Sequence, residues 1–193
     1  MVSAKTRKAV LRDEVRNQLR GISPDRRVTA SVQARSLIER QNIWKSVRTI
    51  LFYAPQPDEL DIWPLVQDSL AAGKIVALPR FDSVAGKYAA CRIQDFTSDI
   101  RVGQFGIREP GDHCAPVPLD KLDLILVPGI AFDVRGHRLG RGKGFYDRLL
   151  ASVLGITCGV AFDEQIVERI PVEAHDIRLN HVLTPTRWIE CGN

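Results

Sequence analysis

No stretch of this 193-residue sequence approaches the roughly 18 continuous apolar residues that a membrane span needs. The first twenty residues, "MVSAKTRKAVLRDEVRNQLR", are basic but lead into no apolar run, so no signal peptide is expected. The four cysteines, at 91, 114, 158 and 191, form no CxxC pair. That spacing excludes a cysteine zinc site and argues against a disulfide framework, leaving reduced, partly buried thiols of a cytoplasmic protein as the expectation. His175 and His181 lack a zinc spacing as well. There is no Ser–His or Cys–His signature, no repeat and no low-complexity segment. Net charge is only +4, with pI about 9.0: enough to suit anionic ligands, too little by itself to argue for nucleic acid.

What is present is an ordinary soluble composition, 45% hydrophobic and 26% charged, in a length that suits a single domain with its own core. Residues 4–20 and 24–43 read as helices, the second capped by Ser23 with Pro24 in its first turn. "VRTILFYA" (47–54), "KIVALPR" (74–80), "GKYAACRI" (86–93), "LDLILVPGIAF" (122–132), "TCGVAF" (157–162) and "HVLTPTRWIE" (181–190) read as strands, with a helix over 61–72 and mostly loop over 94–119. The alternation of strand and crossover predicts an α/β fold: a three-layer α/β/α sandwich, Rossmann-like, with a largely parallel central sheet. The expected organisation is one domain over 1–193, with the helical segment at about 4–43 packed on it. Ligands of such sheets bind beyond the carboxyl ends of the strands.

"RLGRGKGFYDRLL" (138–150) follows one of those strands. It crowds Arg138, Arg141 and Lys143 among Gly140, Gly142 and Gly144. The like charges repel and the glycines cost conformational entropy, so a polyanion is the expected compensation. A glycine loop opening a helix offers N–H groups to an anion, and its cations add charge-assisted hydrogen bonds to phosphate oxygens. The spacing G-x-G-x-G matches neither the Rossmann G-x-G-x-x-G nor the P-loop G-x-x-x-x-G-K-[ST]. A flexible basic loop without a ligand is the plain alternative. After the loop, Phe145, Tyr146, Leu149, Leu150, Val153 and Leu154 recur at helical spacing and predict one buried face.

Asp147, in the first turn of that helix, either complements the helix dipole or holds magnesium with phosphate oxygens. Asp176, in "AHDIRLNH", is a second candidate. Lys8, Arg12, Arg16 and Arg20 share one helix face. Arg16 and Arg20 read as solvated, whereas Lys8 and Arg12 are candidates for a second anchor on the same polyanion. Asp58, Glu59 and Asp61 follow the strand at 47–54. Asp58 or Asp61 is expected to cap the next helix, and a carboxylate left over is suited to the N–H edge of a heterocycle.

"VPGIAFDVRGHRLGRGKGFYDRLL" resembles the signature of the 5-formyltetrahydrofolate cyclo-ligase family, also called methenyltetrahydrofolate synthetases. "KAVLR", "YAPQPDELD", "FGIREP" (105–110) and "AFDEQIVERIPVEAHDIRL" resemble further stretches of the family, in the family's order. The resemblance implies a three-layer α/β sandwich. It implies ATP as co-substrate, Mg2+, and closure of the 5-formyl group onto N10, giving 5,10-methenyltetrahydrofolate, ADP and phosphate. By the same resemblance ATP would be bound by Lys8 and Arg12 and by Arg138, Leu139, Gly140, Arg141, Gly142, Lys143, Gly144, Phe145 and Tyr146. Arg138, Arg141 and Lys143 would be catalytic. Ala54 and Glu59, with Arg141, Gly142, Lys143, Gly144 and Phe145, would meet the folate, and Asp147 and Asp176 would hold the metal. Phe145 stands where a second tyrosine is common, and Asn180 where an aspartate is usual.

Phosphorylating a formyl oxygen makes it a leaving group, so no protein nucleophile is required, only positioning and charge stabilisation. The expectation is therefore a cytoplasmic monomer acting on small molecules, with no nucleic-acid or membrane partner. Rival readings are a nucleotide sensor, which leaves the carboxylates at 147 and 176 unexplained, and an RNA binder, which lacks aromatics interleaved with cations. A folate-cyclising homologue of altered specificity is a third.

Overall fold

A computed structural model describes residues 3–103, 106–142, 144–173 and 176–192. Lys143, Phe105 and His175 lie outside the described residues. Ser3 accepts from the Thr6 N–H at 3.1 Å and opens α1, Ala4–Arg20. Ser23 accepts from the Arg26 N–H at 3.3 Å and opens α2, Pro24–Glu39, with the proline in its first turn. Val15 and Leu19 on α1, and Ala30, Ala34 and Ile38 on α2, repeat four residues apart and are buried. The helix expected to reach residue 43 stops earlier. Gln41 is extended, and a short α3, Asn42–Ser46, then sets Trp44 into the core. Neither glycine nor proline marks that break, so the sequence pattern runs through it.

β1 is Thr49–Leu51, and Phe52, Tyr53 and Ala54 continue from it as buried chain. α4, Trp63–Ala71, begins two residues later than expected. Ile62 is its cap, and Asp61 instead accepts from the Trp63 N–H at 2.9 Å. β2, Ile75–Asp82, and β3, Lys87–Ile93, pair antiparallel. The region expected to be mostly loop holds a hairpin of β4, Ile100–Val102, and β5, Arg108–Pro110. The run at 122–132 is two strands rather than one: β6, Leu124–Val127, and β7, Ala131–Asp133, which joins a different sheet. Pro128, which has no N–H to donate to a ladder, separates them.

β8, Arg138–Leu139, pairs antiparallel with β7, so a hairpin intervenes between β6 and the glycine loop. α5 then covers only Phe145–Leu150. Leu149 and Leu150 are buried as expected, but Leu154 is 83% exposed, because the helix has ended before it. β9 is Ile156–Val160 and β10 Ile166–Val167, the latter beside β7. The last expected strand is again two, β11, His181–Leu183, and β12, Trp188–Glu190, folded back at Pro185, with the Thr184 N–H donating to Arg187 O at 2.8 Å.

The main sheet runs β12-β11-β9-β6-β1-β2-β3. Its interior pairings β11–β9, β9–β6, β6–β1 and β1–β2 are parallel, and only the edges are antiparallel. Alternation along the central strands buries both faces. Ile50, Leu124 and Leu126 join the cluster containing α1, α2 and α4, whereas Leu51, Ile125 and Val127 join the one containing α5. Each such side chain contributes about 2 kcal/mol on burial. From β1 the chain goes to β2 on one side and later to β6 on the other. The boundary between β1 and β6 is therefore the topological switch point, where a ligand crevice is expected beyond the strand ends.

Candidate active site

A cavity of about 480 Å³ lies at that place, walled by Tyr53 and Ala54 after β1 and by Pro128 and Gly129 after β6. The described residues assigned a catalytic, ATP-binding, folate-binding or metal-binding role all line it: Lys8, Arg12, Ala54, Glu59, the stretch 138–142, Gly144, Phe145, Tyr146, Asp147 and Asp176. Gly142 and Gly144 have φ of +100° and +64°, a conformation L side chains rarely adopt, which accounts for two of the three loop glycines. Because α5 is under two turns long, its dipole is small and the cations must supply most of any attraction for an anion.

The helix α1 delivers two of those cations. The Lys8 Nζ, only 8% exposed as a residue, donates to Glu173 Oε2 at 2.8 Å and Asp176 Oδ2 at 2.7 Å. Burial alone lowers its pKa, but the bonds to Asp176 and Glu173 reverse this and raise it, so the ammonium is secured. Arg12 Nε donates to Gly140 O at 2.9 Å, tying α1 to the glycine loop. Burial, then the neighbouring Arg16, lowers the Arg12 pKa. Arg16 pairs with Asp13 at 3.7 Å and Arg20 with Asn17 at 2.8 Å, on the outer surface as expected.

Arg138 is held on β8 with its side chain 4% exposed. Its Nη2 donates to Asp147 Oδ1 at 2.7 Å and its Nη1 to Pro128 O at 3.2 Å, with the guanidinium over the Tyr146 ring at 5.6 Å. Its Nε is buried without an acceptor among the described residues. An orphaned donor of this kind costs about 1–3 kcal/mol. Arg141 Nη2 donates to Asp58 Oδ1 at 2.6 Å and Glu59 Oε1 at 2.9 Å. Glu59 also accepts from the Gln56 N–H at 2.9 Å, and its side chain is 7% exposed. Burial raises the Glu59 pKa; Arg141 and the Gln56 N–H oppose that without cancelling it. Burial likewise pushes the Tyr146 phenol far up, with Glu59 adding to it. Phe145 packs edge-on against Phe81 at 5.5 Å and Tyr88 at 5.2 Å, making one aromatic wall.

The cavity also takes in residues that sequence reading passed over. Glu109, on β5, is buried and accepts from the Phe81 N–H at 3.2 Å. Glu173 shares Lys8, and Tyr88 and Pro79 come from the antiparallel edge. Glu109 lies within "FGIREP", a stretch noted for resemblance without a role for its acid. Asn180 does not line the cavity. Its Oδ1 accepts from the Thr157 N–H at 2.8 Å and from Thr157 Oγ1 at 2.9 Å, so here it fastens the sheet. His181 stacks on Trp188 at 4.7 Å. Among the described residues, the group of three metal-capable side chains is Asp99, His113 and Cys114, which does not line this cavity. The four cysteines are free thiols, and no described helix is long and apolar enough to cross a membrane.

With this geometry in place, the chain can be set beside known proteins. A curated mouse 5-formyltetrahydrofolate cyclo-ligase is 30% identical over 94% of this chain and 95% of its own length. That of Escherichia coli K12 is 32% identical over 90% and 97%. The solution structure of 5,10-methenyltetrahydrofolate synthetase from Aquifex aeolicus superposes with a TM-score of 0.87 at 33% identity, covering 96% of this chain and 93% of that one. The sequence profile of the 5-formyltetrahydrofolate cyclo-ligase family matches residues 4–185, and the chain belongs to that family.

Proposed function

We propose that this cavity closes the formyl group of 5-formyltetrahydrofolate onto N10 at the expense of ATP, giving 5,10-methenyltetrahydrofolate, ADP and phosphate. Family membership supports the reaction. Arg138 is the observation that carries its assignment to this cavity: a buried guanidinium on the cavity wall whose Nε finds no acceptor among the described residues. The positive charge of that guanidinium on the cavity wall suits a phosphate. The formyl oxygen attacks the γ-phosphorus and ADP leaves. N10 then attacks the activated carbon, loses its proton, and phosphate departs with the original formyl oxygen. Arg138 and Arg141 stabilise charge on the transferring group, and Lys143 is assigned the same task from its place in the loop. Arg12 holds the loop through Gly140 O. Glu59, left with a buried carboxyl once Arg141 turns to phosphate, accepts the N–H edge of the pterin.

Magnesium fits the donor set. Asp147 and Asp176 offer hard carboxylate oxygens on the cavity wall, and this ion commonly takes one or two carboxylates together with substrate phosphates. These two residues would hold it, and when bound it would neutralise charge on the β- and γ-phosphates. The carboxylates themselves orient Arg138 and Lys8.

The test uses substrate carrying heavy oxygen in the formyl group. ADP release should depend on the folate, and the phosphate from a single turnover should carry the label. ATP bound without turnover, whether or not folate is present, would favour a sensor. Label recovered only in water would refute phosphoryl activation.

A further inference from the structure

A second groove of about 580 Å³ adjoins the first cavity and shares Gln56, Glu59 and Ile107 with it. Building on the proposed function, we infer that this groove receives the benzoyl-glutamate tail of the folate and that Arg108 reads its carboxylates.

Size comes first. A cavity near 480 Å³ is ordinary for one ligand of drug size. The reaction needs the triphosphate, the pterin and N10 there together, so what lies beyond N10 must leave. That remainder is an aromatic ring followed by a glutamate with two carboxylates.

The groove matches this order of chemistry. Beyond Gln56 it is lined by Pro57 and Pro64 and by Val28 and Val32 of α2. The two valines are 65% and 59% exposed, one helical turn apart, and so present an apolar stripe to the groove. Three arginines line it, but they are not equivalent. Arg35 is matched by Glu39 and Asp68. Arg27 donates to the carbonyls of Leu19, Ile22 and Pro57, which fixes it, and it has no ion pair among the described residues. Arg108 is exposed, lies over the Trp63 ring at 5.5 Å, and has no ion pair among the described residues. The acids of the groove do not cancel these charges in place: Glu59 is engaged by Arg141, and Asp61 serves the first N–H of α4. A flat guanidinium propped on an aromatic face is well suited to grip a carboxylate with two nitrogens.

The experiment compares 5-formyltetrahydrofolate with 5-formyltetrahydropteroate, which keeps N10 and the ring and lacks the glutamate. Steady-state KM and kcat are measured for both in the wild type, Arg108→Ala and Val32→Glu. The wild type should favour the full substrate by about tenfold in KM, the scale of one charge-assisted contact. Arg108→Ala should bring that ratio close to one by raising KM for the full substrate. Val32→Glu, at an exposed helix position, should do the same by repulsion. A wild-type ratio near one, or a ratio that neither variant changes, overturns the inference. If the wild type turns over neither substrate, the cyclo-ligase reading fails instead, a distinguishable result.

Discussion

Replacing Glu59 by glutamine separates what this carboxylate does for binding from what it does for folding. The amide keeps the shape and can still accept from the Gln56 N–H. It loses the charge, and Arg141 retains Asp58 at 2.6 Å. For stability, one charged hydrogen bond is lost while a buried charge is removed, so the net change should stay within about 1 kcal/mol, or about 2–4 °C in Tm for a chain of this size. Its pH dependence has a definite sign. The folded pKa is raised above the usual 4.5, so the folded state holds the proton more tightly than the unfolded chain does. The stability that comes from holding the proton is complete below 4.5 and is lost as pH rises through the folded value. The amide mimics the protonated form, so Glu59→Gln should gain Tm relative to the wild type on going from pH 4.5 to pH 7. For binding, losing charged hydrogen bonds of about 1.5–3 kcal/mol should weaken folate by about 10- to 150-fold. ATP affinity should hold or tighten, because Arg141 is released. Titration calorimetry for each ligand and thermal unfolding across pH decide the matter. Unchanged folate affinity, or equal losses for both ligands with a collapsed Tm, would refute the reasoning.

Two further outcomes follow from the loop and the carboxylates. Lys143→Ala should lower turnover by orders of magnitude with circular dichroism and Tm preserved; near wild-type turnover would remove the lysine from the mechanism. Asp147→Asn and Asp176→Asn should each raise the magnesium concentration needed for half-maximal activity, as expected where few carboxylates hold the ion; unchanged titrations in both would make these residues solely positioners of Arg138 and Lys8.

How much of this was legible beforehand depended on range. Caps are local, and Ser3 and Ser23 act through residues three positions away. Strand interiors announce themselves by apolar content, so the parallel core was readable. Strand ends were not: Pro128 and Pro185 sit inside apolar runs and split each into two. Glycine density and charge identified the loop at 138–144, and topology put it near the carboxyl end of β6. The pairings between distant segments carried no local signal. Lys8 with Asp176 spans 168 positions and Arg141 with Glu59 spans 82. Glu109 and the groove beside Arg108 depend on a hairpin that looked like loop, because its two strands are only three residues each.

The pairings have a consequence for how the two substrates meet. Cations suited to phosphate are held by carboxylates suited to metal or folate: Lys8 by Glu173 and Asp176, Arg138 by Asp147, Arg141 by Asp58 and Glu59. A polyanion that draws Arg141 away from Glu59 takes from it the first of the two influences that restrain its raised pKa, so that pKa must rise further. On the proposed function, ATP and folate would thereby be coupled through one guanidinium, and such a coupling must be equal in both directions. The dissociation constant of the folate should therefore change when a non-hydrolysable ATP analogue is present, and its pH dependence should shift upward. Arg141→Met removes the shared group. In that variant the analogue should no longer alter folate affinity, whatever the absolute affinities become. If the analogue shifts folate binding equally in Arg141→Met and the wild type, the link between the sites runs elsewhere, and the Arg141–Glu59 pair is only a latch on the loop.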